Sequence, residues 1–315
     1  MQETGFSGQS NMLDVKLFIF LLLGFFWGGL TAPVSIRLAG IYGIIDVPDA
    51  RKIHKGNMPR GAGIGLWLGY MLMAVLLSGE VPDIRRIATG ATVIFLCGYL
   101  DDMCSLSPFL RLALHIGASA LVVAPMDMGY DASLIAIIWI AGVTSAYNLI
   151  DGMNGLCISI FIASSCALFF LKYPSLLPGM ISPSYPCIYM GAMALGVLCW
   201  NFPSAQTFLG DGGSTLLGYL FASHFVTAAR IPLRYMSFDN VLILLILFGG
   251  IPVVDTLTAF TRRVLTGKSP FYPDKKHLHH ILISLTGSNV LTVTIILSLQ
   301  VIMLVLGLKF YVRLI

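Results

Sequence analysis

Five short polar clusters interrupt an otherwise apolar chain, and each carries residue types that handle anions, protons or hard cations. Asp101 and Asp102 stand side by side at the end of a long apolar run. Adjacent carboxylates can share a hard cation such as magnesium, which prefers oxygen ligands, or one can take a proton from a phosphate. A solvated helix end would show the same pair, although acids near lipid are costly. Asn148, Asp151 and Asn154 punctuate a glycine-bearing turn within very apolar flanks. Their side chains offer matched donors and acceptors for a base or a sugar, and the same residues also favour a plain turn. Asp211 lies in the glycine-rich run 208–215 at a predicted helix start, where free N–H groups attract phosphate. It would serve equally as an N-cap.

The other two clusters are basic. Asp49, Arg51, Lys52, His54, Lys55 and Arg60 surround a Gly/Pro turn before a helix, a composition that suits a phosphate or simply sets topology. His277, His279 and His280 follow Asp274, Lys275 and Lys276. Three histidines raise zinc, but no cysteine lies nearby and no H-x3-H pair exists, so phosphate contact or proton handling fits better. Of the two histidines inside apolar runs, His224 reads as structural and His115, nearer the carboxylates, stays open.

The elements that must position these clusters are membrane helices. Hydrophobic residues make up 57% of the 315 residues and charged residues 11%, against roughly 25% charged in a soluble domain. So few charges cannot cover a water-soluble surface of this size, whereas lipid solvates apolar surface directly. A net charge of +4, with scattered basic residues, gives no nucleic-acid footprint. The six cysteines include no C-x-x-C pair and read as small apolar residues without disulfides or zinc. The N-terminal stretch carries Glu3, Asp14 and Lys16, unlike a cleavable signal, so the run from Leu17 is expected to be a retained first helix.

Uncharged runs predict about ten helices, near 16–38, 61–78, 86–100, 106–125, 132–149, 155–172, 186–201, 212–229, 239–261 and 289–311. The expected architecture is an all-α polytopic membrane protein with a single domain over residues 1–315. All five polar clusters then fall at odd-numbered junctions and share one side, an outcome that random scatter gives about one time in sixteen for alternating spans. The densest basic clusters lie in the same loops, which makes that side cytoplasmic and puts both termini on the other side.

Taken together and in order, the motifs resemble the polyprenyl-phosphate N-acetylhexosamine-1-phosphate transferases of the MraY/WecA type, over roughly residues 46–282. The resemblance implies a bacterial inner-membrane enzyme with its site facing the cytoplasm. It implies a UDP-N-acetylhexosamine donor, an undecaprenyl phosphate acceptor within the membrane lipid, magnesium (or manganese) as cofactor and UMP as product. By motif it carries catalytic roles to Asp101, Asp102, Asp151 and His279, and substrate binding to Lys52, His54, Asn148, Asn154, His277 and His280. The metal falls to Asp211 and Asp102. A homodimer is admitted, and the division of labour within the aspartate pair stays open, as does a one-step or two-step route. Asn154 stands where the family's commonest form has an aspartate, and Met103, Cys104 and Ser105 stand where the muramyl-peptide branch often has a lysine. The short length and the Asn154 variant make the chain more similar to the branch that initiates polysaccharides such as O-antigen than to the peptidoglycan branch. The alternatives are the muramyl-pentapeptide transferase, a non-catalytic binding protein and, in another class, an ion-coupled transporter. A transporter's polar path would run across the membrane rather than collect at one face.

Overall fold

The computed structural model describes residues 4–42, 45–46, 58–172, 185–269 and 276–314. Lys52 and His54 lie outside the described residues, as do Asp49, Arg51, Lys55, Asp274 and Lys275. The described chain is almost wholly helical: α1 (Thr4–Tyr42), α2 (Ala62–Leu76), α3 (Ile84–Cys104), α4 (Pro108–Val123), α5 (Tyr130–Ile150), α6 (Leu156–Lys172), α7 (Tyr185–Asn201), α8 (Gly210–Tyr235), α9 (Phe238–Leu265), α10 (Leu278–Thr286) and α11 (Asn289–Leu314). Among the described residues, extended structure is confined to a two-residue antiparallel pair, β1 (Ile45–Asp46) with β2 (Met58–Pro59), and an isolated bridge from Arg60 to Phe208.

Ten of these helices coincide with the ten apolar runs, and α10 is an addition in what reads from sequence as loop. Five helices, within α1, α3, α5, α9 and α11, are long and apolar enough to cross a membrane unaided. The others include α2, α4 and α6, which are shorter. The 15 residues of α2 reach only about 23 Å, less than the roughly 30 Å of a hydrocarbon core. Large apolar side chains face outward all around the bundle, among them Leu30 at 67%, Val75 at 72% and Phe170 at 62% exposure. Water would penalise such a surface, and lipid does not.

At the centre stands α8. Leu216, Leu217, Tyr219, Leu220, Phe221, Ser223, His224, Phe225 and Val226 point all around this helix and are each at most 1% exposed. A helix buried on every side is a core element, and α2, α3, α4, α5 and α6 enclose it. Close approach at its start depends on Gly98 of α3, where a Cβ would lie 2.5 Å from the Asp211 carbonyl oxygen and 2.6 Å from Gly212 Cα. Around this centre, α1 packs along α7, while α11 packs on α6 and α9.

Two local features bear on the site. Ser107 opens α4, its Oγ accepting the Leu110 N–H at 3.2 Å with Pro108 in the first turn. The second feature is a break in α9 at Gly250, with φ 61° and ψ −151°, just before Pro252. There the Ile251 N–H is satisfied by Gln300 Oε1 of α11 at 2.8 Å. A freed backbone group at membrane depth needs such a partner.

Candidate active site

The described residues of the five polar junctions, far apart in sequence, meet at one end of the bundle. Pairing of backbones makes the first link: Phe208 N–H donates to the Pro59 carbonyl at 2.9 Å, and Gly61 and Ala62 N–H both donate to the Phe208 carbonyl at 3.3 Å. This pairing holds Arg60 beside the start of α8. Asn201 makes the second link. Its Oδ1 accepts the Gly155 N–H at 2.7 Å and its Nδ2 donates to the Thr207 carbonyl at 2.7 Å.

Between these links lies the aspartate pair. Asp102 Oδ1 receives Arg60 Nη1 at 2.6 Å, and its Oδ2 accepts the N–H of Asp211 at 2.8 Å and of Gly212 at 3.4 Å. Its carboxylate therefore caps α8 from another helix, where the dipole favours a negative charge. Asp101 Oδ1 accepts the Leu106 N–H at 2.6 Å, and Oδ2 pairs with Arg111 of α4. The same guanidinium lies 3.9 Å from Asp211 Oδ2. Asp101 and Asp102 have side chains only 8% and 4% exposed, whereas Asp211 is 34% exposed. Of these three acids, Asp211 presents its oxygens most openly to an incoming cation.

A cavity of about 200 Å³ opens beside Asp211, and Arg60, Asn148, Asp151, Asn154 and Asn201 help to line it. Asn148 Oδ1 accepts from Ser214 Oγ at 3.3 Å. Burial above all, and then the charges of Asp211 and Asp102, push the Asp151 carboxyl well above the usual carboxylate range. Asn154 Nδ2 donates to the Pro203 carbonyl at 3.4 Å. An aspartate could not make that bond, which gives the asparagine a physical reason to stand there.

The histidine cluster closes the site from α10. His279 is 1% exposed, and neither ring nitrogen has a hydrogen-bond partner. Its ring lies against the turn after α5, since a Cβ on Gly152 would sit 2.4 Å from His279 Nε2. Only glycine allows that approach. Desolvation, then the neighbouring His280 and His277, lower the His279 pKa to about 3. The ring of His280 is centred 4.2 Å from that of His279.

Sequence reasoning passed over Arg111 and Asp255, which the structure places among these groups. Each is a charged residue next to or inside an apolar helix, and that expense is the signal that marks them. His224 and His115 both prove structural in their contacts: His224 Nε2 meets Tyr70 OH at 2.9 Å, and His115 Nδ1 meets Ser145 Oγ at 3.1 Å. All six cysteines are free thiols, but Cys104, Cys166 and Cys199 are exposed rather than buried.

The chemistry of the donors fits magnesium: hard carboxylate and amide oxygens, with no thiolate among them. Among the described residues no three of His, Cys, Asp and Glu stand close enough to cage an ion. Magnesium commonly takes only one or two protein carboxylates and fills its shell with water and substrate phosphate.

An apolar helical bundle with an acid-and-arginine centre at one end defines a polytopic membrane protein with a polar site at the mouth of its helices. The sequence pattern of glycosyl transferase family 4 matches residues 84–229. A probable undecaprenyl-phosphate N-acetylglucosaminyl 1-phosphate transferase of Bacillus subtilis (strain 168) is 32% identical over 308 residues, covering 90% of this chain and 83% of that protein. An undecaprenyl-phosphate alpha-N-acetylglucosaminyl 1-phosphate transferase of Thermotoga maritima is 29% identical over 279 residues, covering 85% and 82%. One of the same description from Yersinia pestis is 28% identical over 272 residues, covering 79% and 72%. The chain belongs to this family of membrane transferases, the MraY/WecA type.

Proposed function

We propose that the chain transfers N-acetylglucosamine 1-phosphate from UDP-N-acetylglucosamine to undecaprenyl phosphate, releasing UMP, as the first step of a cell-surface polysaccharide. The sugar follows the names of the similar proteins. The observation that carries the reading is the meeting at Asp211 of residues from distant parts of the chain, with Arg60 and Arg111 beside three buried or half-buried acids. Such a site suits two anionic substrates that must be brought together.

In this reading every helix but α10 crosses the inner membrane of a bacterium, the shorter ones with local thinning or protein cover, and the site faces the cytoplasm. A lipid phosphate oxygen attacks the β-phosphorus of the UDP-sugar. The bond from that phosphorus to the bridging oxygen breaks, and UMP leaves with the electron pair. Asp211 and neighbouring oxygens of the aspartate pair would hold magnesium, which would supply charge neutralisation on the diphosphate. Asp102 orients the start of α8, Asp101 fixes Arg111, and Arg60 balances charge at the phosphates. Burial raises the pKa of the Asp151 carboxyl and so lessens its repulsion of the anionic substrates. Asn148 and the histidine cluster bind the nucleotide-sugar, and Lys52 and His54 join them in substrate binding.

The test is mass spectrometry of the lipid formed by the detergent-purified protein from a panel of UDP-sugars. UDP-N-acetylglucosamine should give undecaprenyl-diphospho-N-acetylglucosamine and stoichiometric UMP. EDTA should abolish both, and magnesium or manganese should restore them. Another sugar as the best donor would correct the substrate, and no lipid product from any would overturn the reading.

A further inference from the structure

The carboxylate of Asp255 belongs to α9, outside the cavity, and the proposed reaction gives it no part. Its side chain is 9% exposed, an expensive place for an acid with an apolar helix around it. Oδ2 lies 2.8 Å from His277 Nδ1, and Oδ1 accepts the Leu278 N–H at 2.9 Å. On the far edge of the same imidazole, Arg263 Nη2 lies 3.4 Å from His277 Nε2. Arg263 is itself buried, at 8% exposure.

A guanidinium has donors and no acceptor. Nε2 of His277 must therefore accept, which places the ring's hydrogen on Nδ1, where it is donated to Asp255. The second oxygen of Asp255 satisfies the first free N–H of α10, because the residue before that helix, His277, has no side-chain cap bond of its own. One carboxylate thus sets both a tautomer and a helix start. Two residues on, that start delivers His279 against Gly152, which lines the cavity.

We infer that Asp255 is a positioning residue of the site: it fixes the His277 tautomer and anchors α10, and so sets where His279 meets the Gly152 turn. The inference rests on the transferase reading for its activity measurement alone.

Asp255→Asn separates the two roles. The amide oxygen still accepts the Leu278 N–H, so α10 keeps its start. The amide nitrogen now donates toward Nδ1. His277 can accept that bond only by carrying its hydrogen on Nε2, where Arg263 also donates, so either tautomer sets donor against donor. Arg263→Gln in the same protein relieves the conflict, because the glutamine oxygen can accept from Nε2.

UMP release should show kcat of Asp255→Asn down roughly tenfold or more, with little change in KM. Asp255→Asn/Arg263→Gln should recover most of that loss. Histidine-selective 15N NMR, with His277→Gln to assign the signal, should place the hydrogen on Nδ1 in the wild type and on Nε2 in the double variant. Wild-type turnover in Asp255→Asn, or a double variant no better than it, would overturn the inference, as would a wild-type signal from Nε2–H. If the wild type releases no UMP, the transferase reading fails, and the NMR result still decides the tautomer.

Discussion

Asp102 caps the helix whose first turn holds Asp211: its Oδ2 accepts the Asp211 N–H at 2.8 Å across 109 residues of sequence. The acid pair at the end of α3 is therefore divided in its duties. Asp102 turns toward α8 and Arg60, Asp101 turns toward α4 and Arg111, and Asp211 is left as the most accessible carboxylate of the three. Arg60, just before α2, and Arg111 of α4 offset part of this negative charge, and an incoming cation would offset the rest.

Replacement of these acids by their amides tests that division. Asp101→Asn, Asp102→Asn and Asp211→Asn keep shape and remove charge, so UMP release should fall by on the order of 10²–10⁴-fold. Asn154→Ala removes one hydrogen bond to the Pro203 carbonyl, worth about 0.5–1.5 kcal/mol and so at most roughly tenfold. Size-exclusion profiles must first show all four folded. Wild-type kcat in the three Asp→Asn proteins beside a dead Asn154→Ala would move the catalytic centre to the turn after α5.

His279 makes stability fall in acid. Its folded pKa of about 3 lies below the ordinary value of about 6.5. As pH drops below about 6.5, the unfolded chain takes up a proton that the folded protein refuses, so stability is lost down to the folded pKa. The unfolding temperature in detergent should decline between pH 7 and 4, and His279→Phe should flatten that decline. An unchanged slope in His279→Phe would mean that the buried imidazole is not its source.

Orientation can be read with a membrane-impermeant thiol reagent in a cysteine-free background. Lys268→Cys, on the side of the acids and histidines, should label only from the cytoplasm. Asp131→Cys, at the opposite end of α5, should label only from outside. Labelling of position 268 from outside would reverse the proposed topology.

Much of this site is legible in the sequence because charge is scarce there. In a chain so apolar, Asp101, Asp102, Asp151, Asp211 and the histidines stand out, and counting helices is enough to bring their junctions to one end. The length of the helices is less legible: α2 reads as a span by composition, yet its 15 residues are short for one. The short helix α10 is less legible because it has only nine residues and starts inside the polar cluster, with Lys276 and His277 before it and His279 and His280 in its first turn. Arg111 and Asp255 were missed for another reason. Each acts through a partner distant in sequence, Asp101 or His277, and no local spacing announces such a pair. Asn154 shows the converse, since a departure from the usual residue type has its explanation in a carbonyl from the far side of α7.

The enclosure of α8 has a consequence for how the protein is made. Helices α2 to α6 surround it, yet all of them precede it in the chain. During synthesis the N-terminal parts emerge first, so the surrounding walls enter the bilayer before their own core exists. Until Gly210 to Tyr235 arrives, the small and polar faces that will receive it, Gly63 and Gly98 among them, have lipid or one another for company. Asp211 comes in on the leading edge of that late helix. The nascent chain therefore acquires its most open carboxylate of the acid cluster and its mechanical keystone in the same event, and a half-made bundle has neither.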